Sequence, residues 1–172
     1  YVFYLVHNPN AAKPYSVVRY DQTTDTKTTL YRSACEIQSV AGTFYWKETR
    51  KVFVSMREPG NCSSDFEIFR ITSLTTAEQL TTNTVDDTNV SVSNGDPLCA
   101  GHSCFDIDYT LVWESQRFCF LAPSKRTIQL RTKTGATFTD SSVSSCSSDL
   151  TQPSVSGNGN YIAFVRKSGN TR

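Results

Sequence analysis

The stretch Pro153-Ser154-Val155-Ser156-Gly157-Asn158-Gly159-Asn160-Tyr161-Ile162-Ala163-Phe164-Val165 sets a short Ser/Val strand, a glycine turn and an apolar run in succession. Runs like the last of these recur as Val2-Phe3-Tyr4-Leu5-Val6, Val52-Phe53-Val54-Ser55-Met56 and Leu111-Val112-Trp113. The four runs start 50, 59 and 51 residues apart. The first three are each followed 15 to 17 residues later by a second strand-like run, at Val17-Val18-Arg19-Tyr20, Ile68-Phe69-Arg70-Ile71 and Ile128-Gln129-Leu130-Arg131. A Thr-rich turn comes next, at Gln22–Asp25, Ser73–Thr76 and Thr132–Gly135, and then a short third run ending at Leu30, Leu80 or Phe138. The Ser/Val strand recurs ahead of the middle runs, as Gln38-Ser39-Val40-Ala41-Gly42 and Val90-Ser91-Val92-Ser93-Asn94-Gly95. The same landmarks therefore return in the same order along the chain.

The unit is four short strands, which we call A (Ser-Val-Gly), B (apolar), C (alternating) and D (short). Up-and-down units of this size are the blades of a β-propeller. A blade packed on both faces by its neighbours buries its middle strands twice, which accounts for the near-continuous hydrophobicity of B. Charges in strand C, at Arg19, Glu67 and Arg131, are expected nearer the outer rim. The expected class is thus all-β, a propeller with about three to four four-stranded blades, approximately residues 1-34, 35-84, 85-142 and 143-172, the first and last incomplete. A β-sandwich without a true repeat is the alternative. The pattern amounts to thirteen strands, whereas closed propellers typically take four or more full blades. The chain is accordingly expected to be part of a larger propeller, or to complete its ring or stack with other copies.

The segment Leu150-Thr151-Gln152-Pro153-Ser154-Val155-Ser156-Gly157-Asn158-Gly159-Asn160-Tyr161-Ile162-Ala163-Phe164 resembles the TolB-type β-propeller repeat, which writes Leu-Thr, Pro, Ser-Pro-Asp-Gly and Ile-Ala-Phe at these spacings. Gly157-Asn158 departs from the usual Pro-Asp before Gly159, and the earlier copies are shorter and more degraded. The resemblance implies a propeller blade and no particular activity, because such repeats serve many functions.

Composition narrows the function classes. Lys+Arg 17 against Asp+Glu 16 gives a nearly neutral chain, which argues against binding nucleic acid by phosphate neutralisation. No apolar run approaches the roughly 18 residues that span a bilayer. One Met among 43 Ser and Thr residues and many aromatics argues against a helical bundle. Six cysteines, Cys35, Cys62, Cys99, Cys104, Cys119 and Cys146, suit an oxidising compartment, so an extracytoplasmic setting (secreted, periplasmic or cell surface) is expected. The sequons Asn61-Cys62-Ser63 and Asn89-Val90-Ser91 permit glycosylation in a eukaryotic source.

The third repeat carries an insertion, Gly95 to Asp108, in its A–B turn. Cys99 and Cys104 enclose four residues there and read as a disulfide-closed loop; zinc held with the help of His102 is the alternative, lacking an evident fourth ligand. Cys62 and Cys119 fall in B–C turns of consecutive units, where a bond would staple neighbouring blades. Catalytic patterns are absent from the sequence: no nucleophile elbow, phosphate loop or His-Glu-x-x-His occurs. Asp106 and Asp108 resemble the opening of a calcium loop without its later ligands. Asp86-Asp87 reads as a polar turn or as paired carboxylates, and Trp113 as core. Tyr45 and Trp46 are candidate exposed aromatics for a sugar or protein partner. The expectation is a non-enzymatic binding or assembly module, with no cofactor and no metal, contacting protein partners or its own copies. The alternative is a carbohydrate-active or hydrolytic propeller using Asp86, Asp87, Asp106 or Asp108.

Overall fold

A computed structural model describes residues 1–43, 51–100, 103–116, 125–143 and 148–167, with the backbone alone described over 96–100 and 103–107. Among these residues there is no helix. Among the described residues fourteen strands form four antiparallel sheets. The first sheet contains β1 (Val2–His7), β2 (Tyr15–Asp21) and β3 (Thr26–Ser33), and the second β4 (Ile37–Gly42), β5 (Val52–Arg57), β6 (Phe66–Ile71) and β7 (Ala77–Gln79). The third orders β8 (Asp87–Val92), β10 (Ser103–Ser115), β11 (Thr127–Thr134) and β12 (Thr137–Ser142), with β9 (Asp96–Ala100) added to the far part of β10. The fourth pairs β13 (Asp149–Val155) with β14 (Ile162–Lys167). Hydrogen-bonding order follows chain order within each sheet apart from the β9–β10 hairpin.

The sheets pack in series, and the strands read as A and B explain how. In β5 every residue from Val52 to Met56 is buried. Val52, Val54 and Met56 join Val17, Tyr31 and Phe69 in a core between the first and second sheets. Phe53, on the opposite face, joins Ile68, Val90, Tyr109, Leu111 and Trp113 between the second and third. The same alternation recurs in β10, where Val112 packs instead with Ile128, Leu150 and Val155 between the third and fourth. Successive side chains of a strand point to opposite faces, so a strand buried on both sides is apolar throughout.

Polar contacts repeat between the layers as well. Ser39 Oγ accepts the Val90 N–H at 3.1 Å, and Ser91 Oγ, in the next A strand, accepts the Val155 N–H at 3.2 Å. Ser55 Oγ donates to the Asp87 carbonyl at 2.7 Å. The Ser/Val signature of strand A therefore has a mechanical use: the hydroxyl bonds the next sheet while the valine fills a core. At the first junction a Cβ on Gly42 would lie 2.3 Å from Cε2 of Phe3, so the two strands approach as closely as glycine permits.

Three expectations need correction. The insertion is not only a loop: β9 and the start of β10 form a hairpin, in which Cys99 and Cys104 are register partners. Strand C does not carry all its charges outward, since Glu67 is only 3% exposed. Cys62 bonds Cys35 within one sheet, not Cys119, with Cα atoms 4.8 Å apart. Because β4 and β5 run antiparallel with Ile37 opposite Met56, the segment entering β4 and the turn leaving β5 share one end of the sheet. That places Cys35 beside Cys62.

Candidate functional site

Strands β4, β8 and β13 each break register opposite their B strand, near Gln38, between Thr88 and Ser91, and near Gln152. These bulges turn three amide side chains into one cleft of about 330 Å³, lined by Gln38, Thr88, Asn89, Glu114, Arg126, Thr151, Gln152, Val165 and Lys167. Asn89 and Gln152 sit in the left-handed region, at φ 52° and 55°. For a non-glycine residue, especially glutamine, this conformation is uncommon and costs energy, and such positions gather at binding sites.

Glu114 organises the cleft. It closes the apolar run Leu111-Val112-Trp113 of β10 and is 3% exposed. Its Oε1 accepts Asn89 Nδ2 at 2.6 Å and the Gln152 backbone N–H, tying the bulges of β8 and β13 to one carboxylate. Arg126 Nη1 lies 3.8 Å from Oε2 and donates to Thr88 Oγ1 at 3.1 Å. The Arg126 N–H in turn donates to Asp149 Oδ1 at 3.0 Å, and Lys167 Nζ stands 3.7 Å from Asp149. With the buried charge compensated in place, the groups offered to a ligand are amides, hydroxyls and the more exposed cations. This chemistry suits a polar ligand rather than an apolar one.

A second polar cluster lies where β6 faces the connection leading to β8. Glu67 accepts the Thr81 hydroxyl on Oε2 and the Asn83 N–H on Oε1 at 2.7 Å. Thr81 Oγ1 also accepts the Ile68 N–H at 2.9 Å, and Asn83 Nδ2 donates to Asp87 Oδ2 at 2.9 Å. Burial pushes the Glu67 carboxyl up to about 7, against the hydrogen bonds from Thr81 and Asn83, and the charges of Asp87 and Asp65 push the same way as burial. Asp87 is raised by burial too, opposed by hydrogen bonding from Ser115, Thr81, Asn83 and Trp113. Glu58, Asp65 and Glu67 line a smaller cleft here of about 270 Å³.

The sequence-derived candidates distribute as follows. Asp86 caps β6 by accepting the Phe66 N–H at 3.0 Å, and Asp87 is 1% exposed. Both serve the β6–β8 junction rather than an open surface. Asp108 Oδ1 accepts the Gly135 N–H at 2.7 Å, joining β10 to the β11–β12 turn. Asp106 lies in β10, and its side chain is outside the described residues, as are those of Cys99 and Cys104. Tyr45, Trp46, His102, Cys119 and Cys146 fall outside the described residues. Trp113 is core at 4% exposure, as its place in the B run implies. Of the sequons, Asn61 is exposed, whereas the Asn89 amide is held by Glu114. Among the described residues no group of His, Cys, Asp and Glu is arranged to hold a metal ion. No helix among them is long and apolar enough to cross a membrane.

Glu114 and Glu67, the centres of the two clusters, were not among the sequence candidates. Their signal was present: each is a carboxylate against apolar neighbours, Glu67 between Phe66 and Ile68 and Glu114 directly after Leu111-Val112-Trp113, and a buried charge is more informative than an exposed one. No protein-family model matches the chain, and no curated protein matches it.

Proposed function

We propose that the chain is a non-enzymatic binding and assembly module, a portion of a β-propeller of the TolB-like kind, acting outside the cytoplasm. It contacts protein partners or its own copies through sheet faces, strand edges and loops. The observation that carries this reading is the serial packing of the sheets together with apolar surface left at both ends of the series. Phe3 and Leu5 of β1 pack toward the second sheet, so Val2 and Val6 face away from it, 43% and 39% exposed. At the other end Phe164 on β14 is 40% exposed and Tyr161, just before the strand, is 74% exposed, while Val165 lies on the opposite face from Phe164 and lines the cleft. β1 has β2 as its only paired neighbour among the described residues, which leaves an apolar strand edge able to accept another strand. The Cys35–Cys62 disulfide is compatible with an oxidising compartment.

The hydrolytic alternative gains nothing from Asp86, Asp87 and Asp108, whose carboxylates are committed to backbone or buried contacts. Sedimentation equilibrium tests the assembly reading. The wild-type mass should rise above 19.2 kDa with concentration, and Val2→Lys or Phe164→Lys should suppress the rise. A wild-type chain that stays at the single-chain mass at millimolar concentration would contradict self-association through these ends.

A further inference from the structure

The β6–β8 junction contains two carboxyls in a setting that disfavours their charges. Glu67, from the middle of β6, is 3% exposed and Asp87, the first residue of β8, is 1% exposed. Asn83 bridges them: its backbone N–H serves Glu67 and its Nδ2 serves Asp87. The same asparagine accepts the Val85 N–H on Oδ1 at 2.9 Å, and Asp86 reaches back to the Phe66 N–H. The whole connection from Thr81 to Asp87 is therefore folded around these carboxyls. One oxygen, Asp87 Oδ1, is buried with no close hydrogen bond, although Ser115 and Trp113 lie near enough to favour its charge, and Asp65 Oδ2 at the entrance to β6 is buried likewise. A buried carboxylate oxygen with no close donor has lost its hydration without full replacement, and a proton on the pair relieves that loss.

The surrounding charge does not relieve it. Glu58 follows β5, Asp65 precedes β6, and Asp86 stands beside Asp87, so the neighbouring acids share one sign. From β10 the pair meets Trp113 and Ser115, which are neutral. Arg70, three residues along β6, pairs with Glu78, Arg131 of β11 donates to the Leu80 carbonyl while paired with Asp140, and Arg57 at the end of β5 is engaged elsewhere too. Arg57 donates to the Ser64 carbonyl, lies over the Phe66 ring at 4.3 Å and stands 3.7 Å from Glu36. Arg126, which enters β11, is committed to Thr88 and Glu114. Among the described residues no group of three or more His, Cys, Asp or Glu side chains is arranged to hold a metal ion.

We propose that Glu67 and Asp87 form a proton-operated latch, closing the 81–86 connection across the junction of the second and third sheets in acid and loosening it as the medium turns alkaline. The connection spans both layers: Thr81 bonds the β6 backbone, and Asp87 opens β8 and takes the Ser55 hydroxyl on its carbonyl. Ionising the pair puts uncompensated negative charge beneath it, and the least costly response is hydration through the cleft that Glu67 lines. This latch does not depend on the assembly reading, since it concerns the fold of a single chain.

The sign follows from proton binding. The raised Glu67 carboxyl holds its proton in the native state up to about 7, whereas the unfolded chain releases it near the ordinary value of 4.5. Between those values the native state binds more protons, so stability is greatest at the acid end and falls as pH rises. The test is urea unfolding across this range with wild type, Glu67→Gln and Asp87→Asn. The difference between wild type and Glu67→Gln isolates the latch, because glutamine keeps the acceptor for Thr81 or Asn83 and cannot ionise. The wild-type unfolding constant should rise relative to the variant by up to about tenfold per pH unit through the window. Infrared spectroscopy of the folded wild type should show a protonated carboxyl band at about pH 6, above the ordinary range of exposed carboxyls, and this band should weaken in Glu67→Gln. A wild-type-to-variant difference independent of pH would overturn the latch. So would absence of that band from wild type, a reading that stands even where a variant fails to fold.

Discussion

Replacing Glu114 by alanine tests how far one side chain holds the third and fourth sheets in register. The carboxylate accepts from Asn89 Nδ2 and from the Gln152 N–H, at bulges where both residues hold positive φ. Removal leaves two donors on the wall of a cleft large enough to admit water, so each loses part, not all, of a buried hydrogen bond. At about 1 to 1.5 kcal/mol per donor, the change should cost about 2 to 3 kcal/mol. Arg126 adds little, because it lies 3.8 Å away and its side chain is 29% exposed. Glu114→Gln keeps an acceptor for both donors and loses only the ion pair, so it should cost about 1 kcal/mol or less. Urea unfolding measures both values, and amide hydrogen exchange at Gln152 reports the local effect, which should quicken strongly in the alanine variant. Equal costs for alanine and glutamine would refute the reasoning, showing that charge and not donor satisfaction governs the site. An unchanged Gln152 exchange rate in Glu114→Ala would refute it as well.

Breaking the Cys35–Cys62 bond, whose partners are 27 residues apart, should lower stability by about 3.5 kcal/mol in the chain-entropy account, read from denaturant midpoints of the double serine variant. Gly42→Ala should cost about 1 to 3 kcal/mol, because the new methyl meets the Phe3 ring and the first and second sheets must part to admit it. Pairing that change with Phe3→Leu should recover part of the loss, and a purely additive outcome would mean that the ring is not the obstacle.

The layered architecture was legible because double burial leaves a strong trace. A strand such as Val52–Met56, which feeds two cores, cannot carry the polar alternation of a half-exposed strand, and its recurrence marked the repeat. The Ser-Val pairs of strand A were legible as landmarks, although the inter-sheet bonds of Ser39 and Ser91 were not. What stayed hidden depended on contacts between elements. Glu67 looked like a rim charge because its two donors come from Thr81 and Asn83, well beyond any local pattern. Glu114 depends on bulges in β8 and β13, where register shifts by a residue without announcing itself in composition. The Cys35 partner was hidden for a topological reason: chain spacing does not reveal that the entry to β4 and the exit from β5 meet at one sheet end. The β9–β10 hairpin was masked by an insertion whose Pro, Gly and Cys residues read as a turn.

The central claim is that the sheets form a series whose apolar ends serve association. Sedimentation equilibrium of the wild-type chain beside Val2→Lys and Phe164→Lys tests it most directly. The account predicts a concentration-dependent mass above 19.2 kDa for wild type and a return toward that value for either variant. Invariant single-chain mass in wild type, or association that both lysines leave untouched, would contradict it.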